Sequence, residues 1–339
     1  MSTEIAPVRI ALDAMGGDNA PSEVVRGAVH FAAAGQGQVM LVGDPEAVQD
    51  ELSAYDTSRL PIGVVPSEGV IAEDESPALA LRQRPRASVL VATGMVKQGH
   101  ADACVTMGST GAAMAAGAVI LGLASGVERP ALGGPVVGVA PNTCILDLGT
   151  NVDCRPRQLL SFGAIGDVFA RTFFGSDDPR IALLSVGAEA GKGNRQVRET
   201  TELFEKSGLN FIGNIEANDL PKGAAEVVVC DGFVGNIVMK LTEGLGQQLS
   251  EHLRSRLEGV VPSADLESLL QEFYDMNNVV ESRGGGPLFG VNGISVVGHG
   301  AARAGAVERA LGMAKMAVET DFVSQMNNRL EMLDSGLDE

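Results

Sequence analysis

The chain has 339 residues, no tryptophan, two tyrosines and a formal net charge of −18. This length allows one large or two ordinary domains around a sizeable core. The negative charge argues against nucleic-acid binding, because only local patches could neutralise a phosphate backbone. No basic region precedes an apolar segment at the N-terminus, so we expect no secretory signal.

The first predicted strand, over 8–13, has alternating apolar residues and is followed by Gly16 and Gly17. Asp18 or Asn19 is predicted to cap the helix that comes next. The backbone N–H groups of such a turn point at one place, and the helix dipole favours an anion there. One turn of this kind is also compatible with an ordinary strand-to-helix connection.

Four further stretches repeat this strand, glycine and helix pattern. They lie at 101–117, 180–197, 226–241 and 293–311. Ligands of open α/β sheets bind beyond the carboxyl ends of the strands, so several of these turns are expected to line one crevice. Five small, polar turns at one edge predict a phosphate-handling site.

Strands and helices alternate along the chain. Strands are predicted near 8–13, 38–43, 102–107, 143–148, 181–186, 210–215, 226–230 and 293–298. This alternation predicts a three-layer α/β/α fold, Rossmann-like, with a largely parallel or mixed central sheet. We expect one α/β domain over 1–339, in which two lobes can share the sheet. The weakly polar run 111–127 predicts a buried helix better than a membrane span.

The four cysteines show no CxxC pairing. They are Cys104, Cys144, Cys154 and Cys230. Buried, reduced thiols in a cytosolic protein are therefore expected. Cys230 stands beside Asp231, but the valines before it would raise the pKa of its thiol, which disfavours cysteine catalysis.

A helical hairpin is predicted over 237–278. Apolar residues recur every four positions from Ile237 to Leu257, the loop 259–263 breaks the helix, and 265–276 forms a second one. The hairpin is expected to dock on the body of the protein or on a second subunit, or to touch a membrane. These interpretations are compatible.

The tip of this hairpin has the composition of a membrane-interface element. Leu257, Val260 and Val261 cluster there, with Arg254 and Arg256 nearby. The tip is therefore expected to make reversible contact with a membrane.

Six motifs in chain order carry a family resemblance. They are DAMGGDNAP (13–21), ERPAL (128–132), VGAEAGKGN (186–194), GNIEANDL (213–220), VVVCDGFVGN (227–236) and GGGPLFGVNGISVVGHG (284–300). In these motifs the chain resembles the PlsX-type phosphate acyltransferases of bacterial phospholipid synthesis. The resemblance implies the architecture shared by isopropylmalate dehydrogenase and phosphotransacetylase.

The resemblance also implies an activity. It is the reversible transfer of a long-chain fatty acyl group from acyl carrier protein to inorganic phosphate, giving acyl phosphate for phosphatidic acid synthesis. Two alternatives remain open: a phosphotransacetylase-like enzyme that uses acyl-CoA, and a non-catalytic membrane scaffold for lipid enzymes. No metal or nicotinamide cofactor is expected, since neither a ligand spacing nor a dinucleotide fingerprint is present.

The family also implies an assembly and a location. We expect a homodimer in the cytoplasm, peripherally bound to the inner face of the cell membrane. Its acyl phosphate product is expected to pass to a membrane glycerol-3-phosphate acyltransferase.

The implied reaction needs no covalent nucleophile, because dibasic phosphate can itself attack a thioester. The enzyme must hold the anion, stabilise the oxyanion and ease thiolate departure. Lys192 is the candidate for a phosphate or oxyanion contact. Asn194 and Asn236 are candidate donors, or alternatively helix caps. His299 is expected to protonate the thiolate, or else is a turn residue.

Further residues of the glycine turns are expected to contact phosphate or substrate. They are Gly16, Gly17, Ser109, Thr110, Gly193 and Gly235. The hydroxyls of this set can alternatively cap a helix. Asp13, Asp18 and Asp231 are expected to orient the loops through hydrogen bonds, because carboxylates repel phosphate.

Acyl carrier proteins are acidic, as is this chain, so docking needs a local basic patch. Three arginine clusters qualify: Arg82, Arg84 and Arg86; Arg155 and Arg157; and Arg195 and Arg198. The sequence does not choose among them.

Overall fold

The computed structural model describes residues 6–189 and 191–337, and that part of the chain holds eleven strands and twelve α-helices. The strands are β1 (Arg9–Asp13), β2 (Gln38–Gly43), β3 (Ile62–Pro66), β4 (Ala103–Thr106), β5 (Ala131–Pro135), β6 (Cys144–Leu146), β7 (Ile181–Leu184), β8 (Phe211–Ile215), β9 (Val227–Val229), β10 (Gly286–Phe289) and β11 (Ile294–Val297). The helices are α1 (Ser22–Ala33), α2 (Pro45–Leu52), α3 (Pro77–Gln83), α4 (Ser88–Lys97), α5 (Thr110–Ala116), α6 (Pro156–Phe174), α7 (Arg195–Phe204), α8 (Gly232–Leu257), α9 (Ser263–Asn277), α10 (Val279–Arg283), α11 (Ala304–Glu319) and α12 (Phe322–Leu337). A π-helical turn (Gly117–Leu121) and a 3₁₀ helix (Ala217–Lys222) complete the helical segments of this range.

All eight strands predicted from the sequence are present, and three more were missed. The missed strands are β3, β5 and β10, with the sequences IGVVP, ALGGP and GPLF. Each contains glycine and proline, which are depleted in strands because glycine adds no packing surface and proline cannot donate to the ladder.

The chain divides into two compact units. Unit 1 takes the described residues up to Ala124 together with Arg283–Gln325. Unit 2 takes Ser125–Ser282 and the described residues from Met326 onward. A single domain over 1–339 stays a prediction.

Unit 1 has a mostly parallel sheet in the order β3-β2-β1-β4-β11-β10, and only β10 of this set runs antiparallel to its neighbour. The register places Val105 between Leu12 and Val296. The carboxyl ends of β1, β4 and β11 therefore lie at one edge of the sheet, and the turns that follow them start there.

Unit 2 repeats this arrangement in the order β5-β6-β9-β7-β8, with β5 antiparallel to β6 and the other pairs parallel. Val229 lies between Leu146 and Leu183. The turns after β6, β9 and β7 thus begin side by side. Both units have a mixed sheet flanked by helices, which confirms the predicted α/β class.

Apolar faces of the sheets pack under helices in both units. In unit 1, Ala11 and Cys104 pack with Ala92 of α4. In unit 2, Ile145, Ala182 and Val228 belong to one buried cluster. Such fully buried side chains each contribute roughly 1.5–3 kcal/mol when large, so these layers fix where the turns emerge.

The run 111–127, which was predicted to form a buried helix, is helical through Leu121 and partly buried. Its α5 part continues into the π-helical turn, Leu121 is buried, and Val119 is exposed. None of the helices in the described range is long and apolar enough to cross a membrane.

The predicted hairpin is present, and its first helix, α8, begins at Gly232, before the start predicted at 237. The loop at 258–262 ends α8, and α9 returns. Leu266 and Leu270 of α9 are buried. One face of α8 stays exposed instead, with Ile237, Leu241, Leu245 and Leu249.

Candidate active site

The carboxyl edge of the unit 1 sheet is organised by Asp13, which is fully buried. The hydroxyl of Thr106 donates to its Oδ2 at 2.7 Å, and the N–H of Met15 donates to its Oδ1 at 3.2 Å. Burial raises the pKa of Asp13, while the hydrogen bond from Thr106 opposes that rise. Asp13 thereby ties the turn after β1 to the end of β4.

Three glycine turns meet at this edge. A Cβ added to Gly16 would lie 2.8 Å from the backbone nitrogen of Gly108, so the turns after β1 and β4 touch. Gly17 has a φ of +102°, which favours glycine. The N–H of Asp18 donates to the carbonyl of Gly300 at 2.8 Å, which adds the turn after β11.

The predicted cap of α1 is wrong. Pro21 occupies the N-cap position, and no side chain accepts a hydrogen bond there. The amide of Asn19 instead donates to the carbonyls of Ala301 at 3.0 Å and Ala302 at 3.3 Å. The contact of Asn19 with the turn after β11 outweighs the local capping preference. Asp18 contacts the same turn through its backbone N–H.

The hydroxyls of the second turn have different environments. Ser109 is buried and caps α5, because its Oγ accepts from the N–H of Ala112 at 3.3 Å. Thr110 is half-buried, and its hydroxyl makes no hydrogen bond to any described residue. The capping alternative therefore holds for Ser109, whereas Thr110 keeps a donor available.

His299 is exposed in the third turn, and its tautomer is fixed by a backbone contact. The N–H of Ala301 donates to Nδ1 of His299 at 3.2 Å. A backbone N–H can only donate, so Nδ1 must carry a lone pair and the ring proton lies on Nε2. Nε2–H is thus the free donor of this residue.

In unit 2 the turn after β6 is built around Asp147, which the sequence reading missed. This carboxylate is fully buried and accepts five hydrogen bonds. The donors are the N–H groups of Gly149 (3.1 Å), Thr150 (3.1 Å) and Asn151 (2.6 Å), the Thr150 hydroxyl (2.6 Å) and the Asn151 amide (2.8 Å). An Asp directly after a strand and before Gly-Thr-Asn is the sequence signal for such a turn. These five donors satisfy the carboxylate of Asp147 within its own loop.

Helix α8 is seated directly on this turn. The N–H of Gly232 donates to the carbonyl of Asn151 at 2.7 Å. A Cβ added to Gly235 would lie 1.9 Å from the carbonyl oxygen of Asp147. Only glycine fits position 235, because real Cβ atoms do not approach backbone oxygen so closely. Gly235 therefore has a packing role.

Asp231 caps α8, so the alternative that Asn236 caps it is wrong. Its carboxylate accepts from the N–H of Val234 at 2.8 Å. Burial, together with the charge of Asp147, raises the pKa of Asp231. Asn236 lies on the second turn of α8, exposed, with its Oδ1 3.2 Å from the position of a Cβ added to Gly149. Its amide N–H groups stay available.

The loop between β7 and α7 presents Lys192. This side chain is exposed, forms no ion pair with any described residue, and packs its Cγ 3.1 Å from the position of a Cβ on Gly187. Asn194 caps α7 by accepting from the N–H of Val197 at 2.9 Å. The cap uses only the amide oxygen, so the NH₂ group can still donate. Gly193 has a φ of +98° between them.

Five of the seven arginines in the three predicted clusters are neutralised. The pairs are Arg84 with Glu75, Arg86 with Glu68, Arg155 with Glu128, Arg157 with Asp334 and Arg195 with Glu199. Arg82 and Arg198 have no carboxylate partner among the described residues. Arg198 donates to the carbonyl of Gly193 at 2.8 Å, in the loop that carries Lys192.

The four cysteines are free and buried, as predicted. Burial raises the pKa of every one of these thiols, and it raises that of Cys154 to about 12 with help from the charge of Asp147. A thiol with so high a pKa is a poor nucleophile at neutral pH. Within residues 6–189 and 191–337, no group of three or more His, Cys, Asp or Glu is arranged to hold a metal ion.

Solved structures share this fold. The phosphotransacetylase of Streptococcus pyogenes superimposes with a TM-score of 0.62 at 19% identity, covering 93% of this chain and 94% of that one. A branched-chain phosphotransacylase from Enterococcus faecalis V583 gives 0.57 at 16% identity, covering 92% and 99%. The architecture is therefore the one found in these phosphate-linked acyl transfer proteins.

Sequence comparison identifies the family to which the chain belongs. The family described as fatty acid synthesis protein matches residues 8–325. The phosphate acyltransferase of Desulforamulus reducens is 41% identical over 335 residues, 98% of this chain and 100% of the relative. That of Nostoc sp. is 41% identical over 338 residues, 98% of each. The chain belongs to the phosphate acyltransferase family, which confirms the resemblance and makes it an acyltransferase.

Proposed function

We propose that the protein transfers a long-chain acyl group from the thioester of an acyl carrier protein to inorganic phosphate, for phospholipid synthesis. The observation that carries this proposal is the unpaired ammonium of Lys192 beside the start of α7. Asp147, the buried carboxylate of the neighbouring turn, already accepts hydrogen bonds from its own loop. The carboxylate of Glu189 lies in the same loop, with Oε2 2.8 Å from the position of a Cβ on Gly187, but it forms no ion pair with Lys192, whose ammonium can therefore bind an anion.

The proposed step balances without a cofactor. An oxygen of bound phosphate attacks the thioester carbonyl carbon, a C–O bond forms, and the C–S bond breaks to release the carrier thiolate. Lys192 and the amide N–H groups of Asn194 and Asn236 would stabilise the phosphate and the oxyanion. The Nε2–H of His299 would donate a hydrogen bond to the thiolate, and the proton that the released thiol carries would come from the attacking hydrogen phosphate. The acyl group is released as acyl phosphate.

Other residues keep their predicted roles as proposals. Gly16, Gly17, Ser109 and Thr110 would contact phosphate or substrate in unit 1, and Gly193 would do so in unit 2. Asp13, Asp18 and Asp231 would hold the turns. In support, Asp13 accepts a hydrogen bond from Met15 in the turn after β1. Asp231 accepts one from Val234 in the first turn of α8.

The test is to mix the purified protein with inorganic phosphate and either acyl-acyl carrier protein or acyl-CoA, and to trap acyl phosphate with hydroxylamine. We expect product from the carrier-protein thioester. Equal or faster turnover of acyl-CoA would favour the phosphotransacetylase-like alternative. No product from either thioester would overturn the proposed function.

The acidic carrier protein would dock near Arg198. This arginine keeps its charge free of carboxylates and lies in α7, next to the Lys192 loop. Charge reversal, Arg198→Glu, should raise KM for the carrier-protein thioester more than for acyl-CoA, since only the protein substrate has an acidic surface. Arg82→Glu is the matched control in another cluster. Equal effects of the two variants would contradict this docking surface.

We also propose peripheral contact with the inner face of the cell membrane through the hairpin tip. Val260 is exposed there, and Leu257 and Val261 are half-buried. Arg254 pairs with Glu267, which leaves Arg256 to attract anionic lipid at about 1 kcal/mol. Replacing Val260 and Val261 by Asp should abolish sedimentation with anionic liposomes. Sedimentation equal to wild type would place the contact elsewhere. From this location the product would reach a membrane glycerol-3-phosphate acyltransferase.

A homodimer is proposed from the exposed face of α8. Leu241, Leu245 and Leu249 lie on it, and a second copy related by two-fold symmetry is the commonest cover for such a face. Light scattering at micromolar concentration should report twice the chain mass. A monomer would contradict the proposal.

A further inference from the structure

Four large apolar side chains are exposed at the carboxyl edge of the unit 2 sheet, and we name them the apolar rim. Val186 is 83% exposed, Phe233 58%, Val152 57% and Ile237 48%. Val186 and Val152 lie in the loops after β7 and β6, and Phe233 and Ile237 lie at the start of α8, which follows β9. A loop edge that exposes several apolar side chains together marks a surface that a ligand covers.

Backbone contacts bring these turns together. The N–H of Gly232 donates to the carbonyl of Asn151 at 2.7 Å, and Phe233 and Val152 are the residues that follow these two in the sequence. The strand register adds the third turn, because β9 lies between β6 and β7. Val186 lies two residues after the end of β7, so all four residues belong to segments that begin at one edge of this sheet.

The rim adjoins the polar donors of the proposed reaction. Ile237 follows Asn236 in α8, and Val186 precedes Gly187, against which the Lys192 stem packs. A long-chain thioester has the same two parts, a polar carbonyl and an apolar tail. We infer that the apolar rim binds the acyl chain of the substrate and sets the preference for long chains. This inference rests on the proposed function.

The size of the rim favours an acyl chain over a protein partner. A specific protein interface buries roughly 800 Å² on each side, more than four side chains offer. Ile237 also lies at the start of the exposed face of α8 that is proposed for a second copy, and the proposed membrane contact lies at the hairpin tip. Neither a second copy on α8 nor a membrane at the hairpin tip accounts for the exposure of Val152 and Val186, which lie in other loops.

The test measures kcat/KM for phosphorolysis over a ladder of thioesters from butanoyl to hexadecanoyl. For wild type, we expect kcat/KM to rise by up to about fourfold per added methylene until the rim is covered, from the transfer energy of a methylene group. In the double variant Val186→Ser, Phe233→Ser, the ratio of hexadecanoyl to butanoyl kcat/KM should fall at least about tenfold.

Two controls keep the inference falsifiable. Met332→Ser removes an equally exposed apolar side chain of α12, outside the rim, and should leave the ratio unchanged. Val186→Leu, Phe233→Leu should keep a high ratio, because it retains apolar surface. A serine variant with the wild-type ratio overturns the inference. So does a serine variant that becomes monomeric by light scattering, since the rim would then be a subunit contact.

Binding alone separates this inference from the proposed function. A fluorescent long-chain fatty acid, titrated without phosphate, should bind wild type at least about tenfold more tightly than the serine variant. If no thioester is turned over but this difference is found, the proposed function fails and the apolar rim stands. If turnover is normal and both proteins bind the probe equally, the rim fails alone.

Discussion

Gly235 and Asp147 are in contact through backbone alone: a Cβ at position 235 would lie 1.9 Å from the Asp147 carbonyl oxygen. The first turn of α8 therefore rests on the turn that Asp147 organises. Through this contact the helix start, with Asp231 and Asn236, is fixed against the end of β6.

The Gly235→Ala variant should lower the thermal unfolding midpoint, because the methyl group must displace backbone. Overpacking of this kind costs about 1 to 3 kcal/mol or more. Gly244→Ala, on the same helix with nothing near its added Cβ, should instead raise stability by about 0.5 to 1 kcal/mol. Calorimetric melts of the two variants check this. Equal shifts would show that α8 does not need glycine at 235.

Lys192→Ala should lower the rate of thioester phosphorolysis at least about tenfold, the scale of one charge-assisted contact. Lys206→Ala is the control, since Lys206 is exposed on the same unit and the charge change is identical. Steady-state kinetics compare the phosphorolysis rates of the two variants, and circular dichroism verifies that both are folded. Full activity in folded Lys192→Ala would falsify the assigned role.

His299→Asn should slow turnover in a way that depends on the leaving group. Asparagine can accept from the Ala301 N–H as Nδ1 does, so the turn is kept while the Nε2 proton is lost. A hydrogen bond from Nε2–H stabilises an alkyl thiolate, which is strongly basic, more than an aromatic thiolate of low pKa. The loss should therefore be larger for alkyl than for aryl thioesters. The same loss for both would assign His299 a structural role only.

The cysteines should be unreactive in the folded protein. Burial raises the pKa of their thiols, that of Cys154 to about 12, so the thiolate fraction grows only as pH approaches such values. A chromogenic disulfide reagent at pH about 8 should detect almost no thiol before denaturation and four after it. Iodoacetamide should leave turnover unchanged. Rapid inactivation would reopen Cys230 as a nucleophile.

The sequence predicted the alternating elements and the glycine turns because both depend on local patterns. The strand over 8–13 followed by Gly16 and Gly17 needs no tertiary information. The helix caps were predicted less well. Asn19 was expected to cap α1, but its amide bonds to the turn after β11, a contact 282 residues away along the chain. Local capping preference could not anticipate that partner.

The site could be predicted only in part, for a related reason. Lys192 could be proposed from sequence because a lysine among small residues at a helix start is a local signal, and its role stays a prediction. Asp147 and its five hydrogen bonds were missed, since its importance comes from burial and from the helix seated on it. The apolar rim was missed too. Val152 and Val186 are isolated valines in sequence, and only the pairing of β6, β9 and β7 brings them together.

Direct attack of phosphate on the thioester makes thiol release depend on phosphate, so thiol release is followed with and without phosphate. The protein is incubated with acyl-acyl carrier protein, free thiol is measured, and intact mass spectrometry follows the protein. We predict no thiol release and no acylated protein without phosphate, and equal amounts of thiol and acyl phosphate with it. A stoichiometric burst of thiol without phosphate, together with acyl mass on the protein, would contradict the account.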